Sequence, residues 1–198
     1  MSAVICIDCN ENELQLRKNE ILRYLGYQKP ECDEATDALI ISCYEELLGV
    51  ITPKACFVEG TVECKGDGII EVCGMVIKSR ALEKNLEGCK TGAVFGATLG
   101  VWADRLIAKY SCSSPSRSVV INAVAASLIE VLCDEVNRQI VKERISRPRF
   151  SAGYGDLSLE AQKQIAELLG LNKNIGVCLT ESLMMRPSKS VTAIIGMK

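Results

Sequence analysis

Histidine is absent from all 198 residues of the chain. The absence excludes every mechanism that depends on an imidazole: histidine general acids and bases, Ser-His-Asp triads, Cys-His nucleophiles and histidine-ligated metal sites. For the same reason the chain has no imidazole to offer as an axial ligand to a haem or a corrinoid. Any binding or catalysis must therefore use other side chains.

Long apolar runs and an excess of basic charge are also lacking. The two longest apolar stretches, 91–102 and 118–133, are too short to span a bilayer, and the second contains Asn122 and Glu130. The first nine residues lack the basic start and apolar run of a secretion signal. We therefore expect a cytoplasmic protein without a membrane segment. The net charge of −2 argues against general nucleic-acid binding, which needs a basic face.

Cysteine, in contrast, is abundant, but its 11 copies contain one CxxC pair only, Cys6 and Cys9. Zinc ribbons and iron–sulfur clusters need four ligands at close spacing. Cys43 and Cys133 stand where a small apolar residue would serve. We therefore expect most cysteines to be reduced thiols in the core, and no metal site. A metal at Cys6 and Cys9, completed by other residues, and a thiol- or cluster-based redox protein remain the alternatives.

The order of elements predicts one α+β domain over residues 1–198, with a mainly antiparallel sheet and several flanking helices. Hydrophobic residues make up 48% of the chain, as expected for one folded core. No repeat or linker divides it; the helical part is expected at 1–50, and the sheet with the longest helix at 55–198. Periodicity and capping signals predict helices at 11–26, 31–48, 79–86, 102–110, 115–144 and 158–169, with strands at 55–78 and near the C-terminal end.

The segment TGAVFGATLG contains glycines at 92, 96 and 100, after Lys90 and Thr91. A Walker phosphate loop requires a glycine upstream of the lysine at a position where this sequence has none. The glycines instead predict a buried strand or helix start at which other groups approach the backbone closely.

The segment RPRFSAGYGD, Arg147–Asp156, interrupts every regular pattern, because a proline and two glycines fall within ten residues. Arg149 offers a planar fork that can hold a carboxylate through two hydrogen bonds. Tyr154 offers an aromatic face that attracts a cation within about 6 Å of the ring centre. A ligand with both a carboxylate and a sulfonium would suit this pair. The alternative is a structural turn with a surface arginine.

RxxxGY, here Arg149–Tyr154, is similar to the S-adenosylmethionine-binding motif of the activation domain of cobalamin-dependent methionine synthase. Downstream, TESLMMRPSKSV, Thr180–Val191, resembles the TES…M.P..SV segment of that family, and the helix SLIEVLCDEVN resembles the helix before its motif. The similarity runs with gaps over about Ser79–Gly196, and the N-terminal portion resembles that of the family's short, free-standing members.

The resemblance implies a reactivation subunit that supports reductive methylation of cob(II)alamin, with S-adenosylmethionine as methyl donor. The cobalamin would be carried by a methionine synthase or related corrinoid protein, and a flavodoxin- or ferredoxin-like protein would supply the electron. The chain would then be a partner subunit of a methyltransferase, with no catalytic side chain of its own. By motif, S-adenosylmethionine would be bound by Arg149, Ala152, Gly153 and Tyr154. Supporting roles are expected for Glu130, Glu181 and Ser182, and corrinoid contact for Met184 and Met185.

Three departures from the family pattern favour a second hypothesis. Ala126 stands where the family has an acidic residue, so that Glu130, one turn later, is the candidate substitute. Gly155 replaces the proline after GY, and the sequence ends at Lys198, before the family's adenine-contacting region. The second hypothesis is a non-catalytic module that binds a corrinoid protein or a small ligand and has lost methyl-donor binding. Core packing remains the alternative role of Met184 and Met185.

Overall fold

The computed structural model describes residues 3–198, and this part of the chain forms eight strands and seven α-helices. The strands are β1 (Ile5–Ile7), β2 (Lys54–Gly66), β3 (Ile69–Val72), β4 (Met75–Lys78), β5 (Thr91–Thr98), β6 (Cys178–Leu179), β7 (Met185–Arg186) and β8 (Ser190–Met197). The helices are α1 (Lys18–Tyr24), α2 (Glu34–Leu48), α3 (Arg80–Asn85), α4 (Val101–Ser113), α5 (Pro115–Val141), α6 (Ala161–Leu169) and α7 (Leu171–Ile175).

The main sheet is antiparallel throughout, with strand order β4-β3-β2-β5-β8 and β1 added beside β2. β2 is long enough to pair with β5 along one edge and with both β1 and β3 along the other. Its far end turns into β3 at residues 66–68, within the segment 55–78 that is predicted to form strands. The expected α+β fold with a mainly antiparallel sheet is confirmed.

Each face of the sheet is covered by helices and carries its own apolar core. One core contains Phe95 together with buried residues of α1, α2, α4 and α5, among them Val124 and Leu128. The other contains Val94 together with buried residues of α3, α6 and α7. Adjacent residues of β5 enter opposite cores because successive side chains of a strand point to opposite faces. This explains why β5 is apolar without alternation, as its sequence indicated.

The predicted helices exist, but several boundaries are wrong because local side-chain hydrogen bonds end or delay the helix. The predicted helix 11–26 is a 3-10 turn at Glu11–Glu13 followed by α1. Asn10 accepts a hydrogen bond from the Asn12 N–H and so stabilises this separate turn. α2 starts at Glu34, not at residue 31, because the Asp33 carboxylate caps it by accepting from the Thr36 N–H at 2.7 Å.

The later helices show similar shifts. α5 ends at Val141, short of the predicted 144, and Arg144 instead pairs with Glu59 of β2. Ser114 stands at the N-cap position of α5, but its side chain makes no capping hydrogen bond. α6 begins at residue 161 after a turn in which Ser158 accepts from the Glu160 N–H. β1 lies within the segment expected to be helical and was not predicted, because three residues are too few for a periodic pattern.

All eleven cysteines are free thiols. Four of them are buried, including Cys43 and Cys133, but Cys6, Cys64 and Cys112 are among the four that are exposed, so the expectation of mainly core thiols is only partly correct. Burial raises the pKa of Cys133 to about 12, which keeps that thiol protonated and unreactive at neutral pH. None of the helices described for residues 3–198 has the length and hydropathy that a membrane span requires.

Candidate functional site

The segment before the RxxxGY turn is fixed against the outer edge of β8. Phe150 and Ile194 exchange two backbone hydrogen bonds, of 2.9 and 2.8 Å, and the Arg147 N–H donates to the Gly196 carbonyl at 2.8 Å. The chain therefore runs antiparallel to the second half of β8 as far as residue 150. Arg149 therefore lies between two residues, Arg147 and Phe150, whose backbones are hydrogen-bonded to β8.

Gly153 of the motif and Gly155, just after it, make the turn that follows. Gly153 adopts φ +88°, and its N–H donates to the Leu157 carbonyl at 2.9 Å. Gly155 adopts φ +56°, and a Cβ added there would lie only 2.9 Å from Cβ of Ala81. Both positions need the left-handed backbone that glycine adopts without strain. The substitution of Gly155 for the family's proline thus coincides with a close contact to α3.

Asp156 ties this turn to the start of α3, and sequence reasoning did not identify it as part of the site. Its carboxylate accepts hydrogen bonds from the Ser79 hydroxyl, from the Arg80 N–H at 2.9 Å and from the Ala81 N–H at 3.1 Å. These donors, the Ser79 hydroxyl most strongly, hold the pKa of Asp156 below its usual value. The sequence offered two signals for this contact: an acidic residue just after a glycine turn, and a serine, Ser79, at the start of a predicted helix.

The guanidinium of Arg149 faces α5 and is already paired with two carboxylates. Nη2 lies 3.1 Å from Oε2 of Glu130, and Nη1 lies 2.9 Å from Oδ1 of Asp134. The second contact is an ion pair without a hydrogen bond, because the N–H groups of the buried Nη1 are not aligned with an acceptor. Glu130, the candidate substitute for the family's acidic residue, is therefore adjacent to Arg149, and Asp134 is a second partner that the sequence did not indicate.

Tyr154 projects from the turn with 70% of its surface exposed. Its ring packs edge-on against Phe150, with centroids 6.3 Å apart and planes at 65°. One face of an aromatic ring is thus held in place and open to solvent. This is the arrangement that a cation–π contact with a ligand requires.

The segment Thr180–Val191 forms the loop between β6 and β7, contains β7 and reaches the start of β8. Thr180 Oγ1 accepts from the Met184 N–H at 3.0 Å and lies 3.0 Å from Ser182 Oγ. Farther along, Asp104 of α4 accepts hydrogen bonds from both the N–H and the hydroxyl of Ser188. The loop is therefore anchored at both ends. Glu181 and Ser182 are exposed, and 62% of the Met184 surface is accessible.

A cavity of about 330 Å³ lies between the RxxxGY turn and this loop. Of the predicted site residues it brings together four: Glu130, Ala152, Met184 and Met185. The other five do not line it: Arg149, Gly153, Tyr154, Glu181 and Ser182. Arg149 is nevertheless joined to the cavity wall through its pair with Glu130. A larger and shallower groove, of about 800 Å³, lies along α6 and α7 and contains none of the predicted residues.

The floor of the smaller cavity is polar, which sequence reasoning missed. Gln162, Ser190 and Thr192 line it although each is buried. Thr192 Oγ1 donates to Oε1 of Gln162 at 3.0 Å, whereas Nε2 of Gln162 has no partner in residues 3–198. A threonine inside the apolar run VTAIIG and a glutamine on the apolar side of α6 were the available signals. In the described part of the chain, no three metal-ligating side chains come together.

Comparison with known proteins gives one family and one fold. The family model for the activation domain of vitamin B12 dependent methionine synthase matches residues 84–198. No curated protein matches the sequence. Among solved structures, the crystal structure of the MetH reactivation domain bound to AdoHcy is similar, with a TM-score of 0.72 and 15% sequence identity. The match covers 98% of this chain and 78% of that one, and at this identity the likeness concerns the fold.

Proposed function

This chain belongs to the activation-domain family of vitamin B12 dependent methionine synthase, and from that membership we propose that it is a reactivation subunit for such an enzyme. It would support reductive methylation of cob(II)alamin with S-adenosylmethionine as methyl donor. In that reaction the cobalamin of the partner takes up one electron and the methyl group, and S-adenosylhomocysteine is released. The unit that performs this role would extend over residues 1–198.

One observation carries the proposal. The two sequence motifs of the resemblance are about 30 residues apart along the chain, and both contribute walls to the cavity of about 330 Å³. Ser151 and Ala152 come from the first motif, and Met184 and Met185 from the second. Cavities of about this size bind small ligands. This convergence supports the proposal that both motifs bind a common ligand.

The remaining residues of the site have separate tasks in this proposal. Arg149 would hold the carboxylate of the methyl donor, with Glu130 placed to accept the neighbouring ammonium. Tyr154 would offer its exposed ring face to the sulfonium, and the backbone at Ala152 and Gly153 would border the ligand.

The corrinoid and its protein would approach from the mouth of the cavity, where Met184 is exposed, with Met185 behind it. A thioether side chain adapts its shape to a large ring at little cost. Glu181 and Ser182, which are exposed on the same loop, would support this contact. A cobalamin-binding methionine synthase or a related corrinoid protein is therefore the proposed partner, with a flavodoxin- or ferredoxin-like protein as electron donor.

A second candidate is a module that binds a corrinoid protein or small ligand without the methyl donor. The pairing of Arg149 with Glu130 and Asp134 favours it, because a ligand carboxylate would compete with two carboxylates already in contact with the guanidinium. The fold and the cavity would then serve only to bind the corrinoid protein or the small ligand.

Titration calorimetry of the full chain with S-adenosylmethionine distinguishes the two candidates. We expect saturable binding by the wild type and a loss of at least about tenfold in affinity for Arg149→Ala, because a charge-assisted contact is removed. Arg147→Ala is the matched control, since the Arg147 guanidinium donates instead to the Glu87 carbonyl, outside the cavity. No binding at about 1 mM ligand, or equal affinity of wild type and Arg149→Ala, would leave only the second candidate.

A further inference from the structure

Gln162 presents a buried hydrogen-bond donor that the protein leaves unused. The residue is 3% exposed and lines the cavity between the RxxxGY turn and the Thr180–Val191 loop. Its Oε1 is held by Thr192 Oγ1 at 3.0 Å, so that the amide cannot turn freely. Nε2 has no acceptor among the described residues. A buried donor without a partner costs free energy in the folded state, and a ligand acceptor in the cavity would offset this cost.

The edge of β8 offers two further groups at the same place. Phe150 exchanges backbone hydrogen bonds with Ile194 on the side of β8 that faces away from β5. Backbone groups alternate in direction along a strand, so those of Thr192, two residues away, face the same outer side. The chain turns away from β8 after Phe150, and neither the N–H nor the C=O of Thr192 has a partner within residues 3–198.

The hydrogen-bonding groups of Gln162 and Thr192 match those on the edge of one kind of ligand ring. An N–H and a C=O of one strand residue, side by side, match an acceptor and a donor that are adjacent on a planar ring. Adenine has such an edge in its N1 and its N6 amino group, and its other ring nitrogens can accept from a neighbouring amide. Leu159, Leu183 and Met185 line the same cavity and supply apolar and thioether surface for the ring faces.

We propose that Gln162 Nε2 and the outward backbone groups of Thr192 bind the adenine ring of an adenosyl ligand in this cavity. The inference rests on the proposed function in so far as it takes S-adenosylmethionine as that ligand. Glu130 lines the cavity and pairs with Arg149. The charged amino-acid part of the ligand would therefore lie at the Glu130 end of the cavity. The adenine then lies over Gln162 and Thr192, and the sulfonium lies between the two ends.

The test is calorimetry of the full chain with adenosine, S-adenosylhomocysteine and S-inosylhomocysteine. We expect wild type to bind the first two, and Gln162→Leu to weaken both by about tenfold, as for one lost hydrogen bond. S-inosylhomocysteine has a carbonyl and an N1–H where adenine has an amino group and a bare nitrogen, so it should bind at least tenfold more weakly than S-adenosylhomocysteine. Gln162→Glu keeps the acceptor for Thr192 and should lose affinity as well, which provides a second variant if Gln162→Leu does not fold.

Two controls separate this proposal from the proposed function. Gln164→Leu changes an exposed glutamine of the same helix outside the cavity and should leave every affinity unchanged. Arg149→Ala should weaken S-adenosylhomocysteine while adenosine binding stays as in wild type. If S-adenosylhomocysteine binds but neither the Gln162 variants nor the inosyl compound differ, the adenine assignment is wrong and the proposed function stands. Binding of adenosine that needs Gln162, without binding of S-adenosylhomocysteine here or of S-adenosylmethionine in the titration above, would support the adenine site and contradict the methyl-donor function. If none of the probes binds wild type, both are contradicted.

Discussion

Single side chains in this molecule hold the RxxxGY turn more firmly than the motif itself suggests. Arg149 reaches α5, where it pairs with Glu130 and Asp134, and Asp156 reaches the first turn of α3. The turn between them is thereby tied to two helices on opposite faces of the sheet. The motif could be found from the sequence because its residue types and spacing are local. Asp134 and Asp156 could not, because their partners are set by tertiary packing.

The role of Asp156 can be tested by Asp156→Asn, which keeps the shape and removes the charge. We expect a lower melting temperature, since the Ser79 hydroxyl and two N–H groups then lose a charged acceptor. The folded pKa of Asp156 lies below the unfolded value of about 3.9, so its contribution is present above that pH and is lost as the pH falls through the folded value.

Thermal unfolding of wild type and Asp156→Asn at pH 7 and at pH 3 measures this contribution. The difference in melting temperature between the two proteins should be smaller at pH 3 than at pH 7. Asp67→Asn, in an exposed turn, is the control and should show no such change. A difference in melting temperature that is the same at both pH values would contradict the assigned role of the Asp156 carboxylate.

At the scale of elements, periodicity predicted which helices and strands exist, and side-chain hydrogen bonds decided where they begin and end. Asn10, Asp33 and Ser158 each make a local hydrogen bond that separates a turn from the following helix. A hydrophobic pattern carries no information on such caps unless the capping residue is recognised as one. β5 shows the opposite case, since its glycines correctly predicted close approach to a buried strand.

Gly96 of β5 tests this approach. A Cβ at this position would lie 2.6 Å from Cδ2 of Leu171 and 3.3 Å from Cδ1 of Ile175, so that the buried Leu171 side chain, or α7 with it, would have to shift. We expect Gly96→Ala to lower the free energy of unfolding by about 1–3 kcal/mol in chemical denaturation. Gly49→Ala is the control, because the added Cβ there meets nothing closer than 3.6 Å and should change stability by less than about 0.5 kcal/mol. Equal free energies of unfolding for the two variants would show that an added Cβ at Gly96 does not destabilise the packing of α7 on the sheet.

At the scale of the whole molecule, the fold serves to bring distant segments to one edge of a sheet. The RxxxGY turn, the Thr180–Val191 loop, α5 and the start of α6 all contribute to the cavity of about 330 Å³ beside β8. Residue patterns indicated the fold class and both motifs. They did not reveal the polar floor of Gln162 and Thr192, because these residues are adjacent only after α6 packs on the sheet.

The absence of histidine is compatible with the proposed function of the whole molecule. A protein that presents a methyl donor to a cofactor on another chain needs a binding cavity and a docking surface, and it needs no imidazole of its own. The exposed thioether of Met184 at the cavity mouth and the half-buried Met185 suit such a surface. The proposed reaction is therefore a methyl transfer between two proteins.

Transfer of an isotopically labelled methyl group can be followed to test the proposed function. A cob(II)alamin-loaded methionine synthase that lacks an activation domain is incubated with methyl-labelled S-adenosylmethionine, a reduced flavodoxin or ferredoxin, and this chain. We predict labelled methylcobalamin on the partner, formed in proportion to the chain added and reduced at least tenfold with Arg149→Ala. Label that appears at the same rate without the chain, or no label with saturating chain and reductant, would contradict the account.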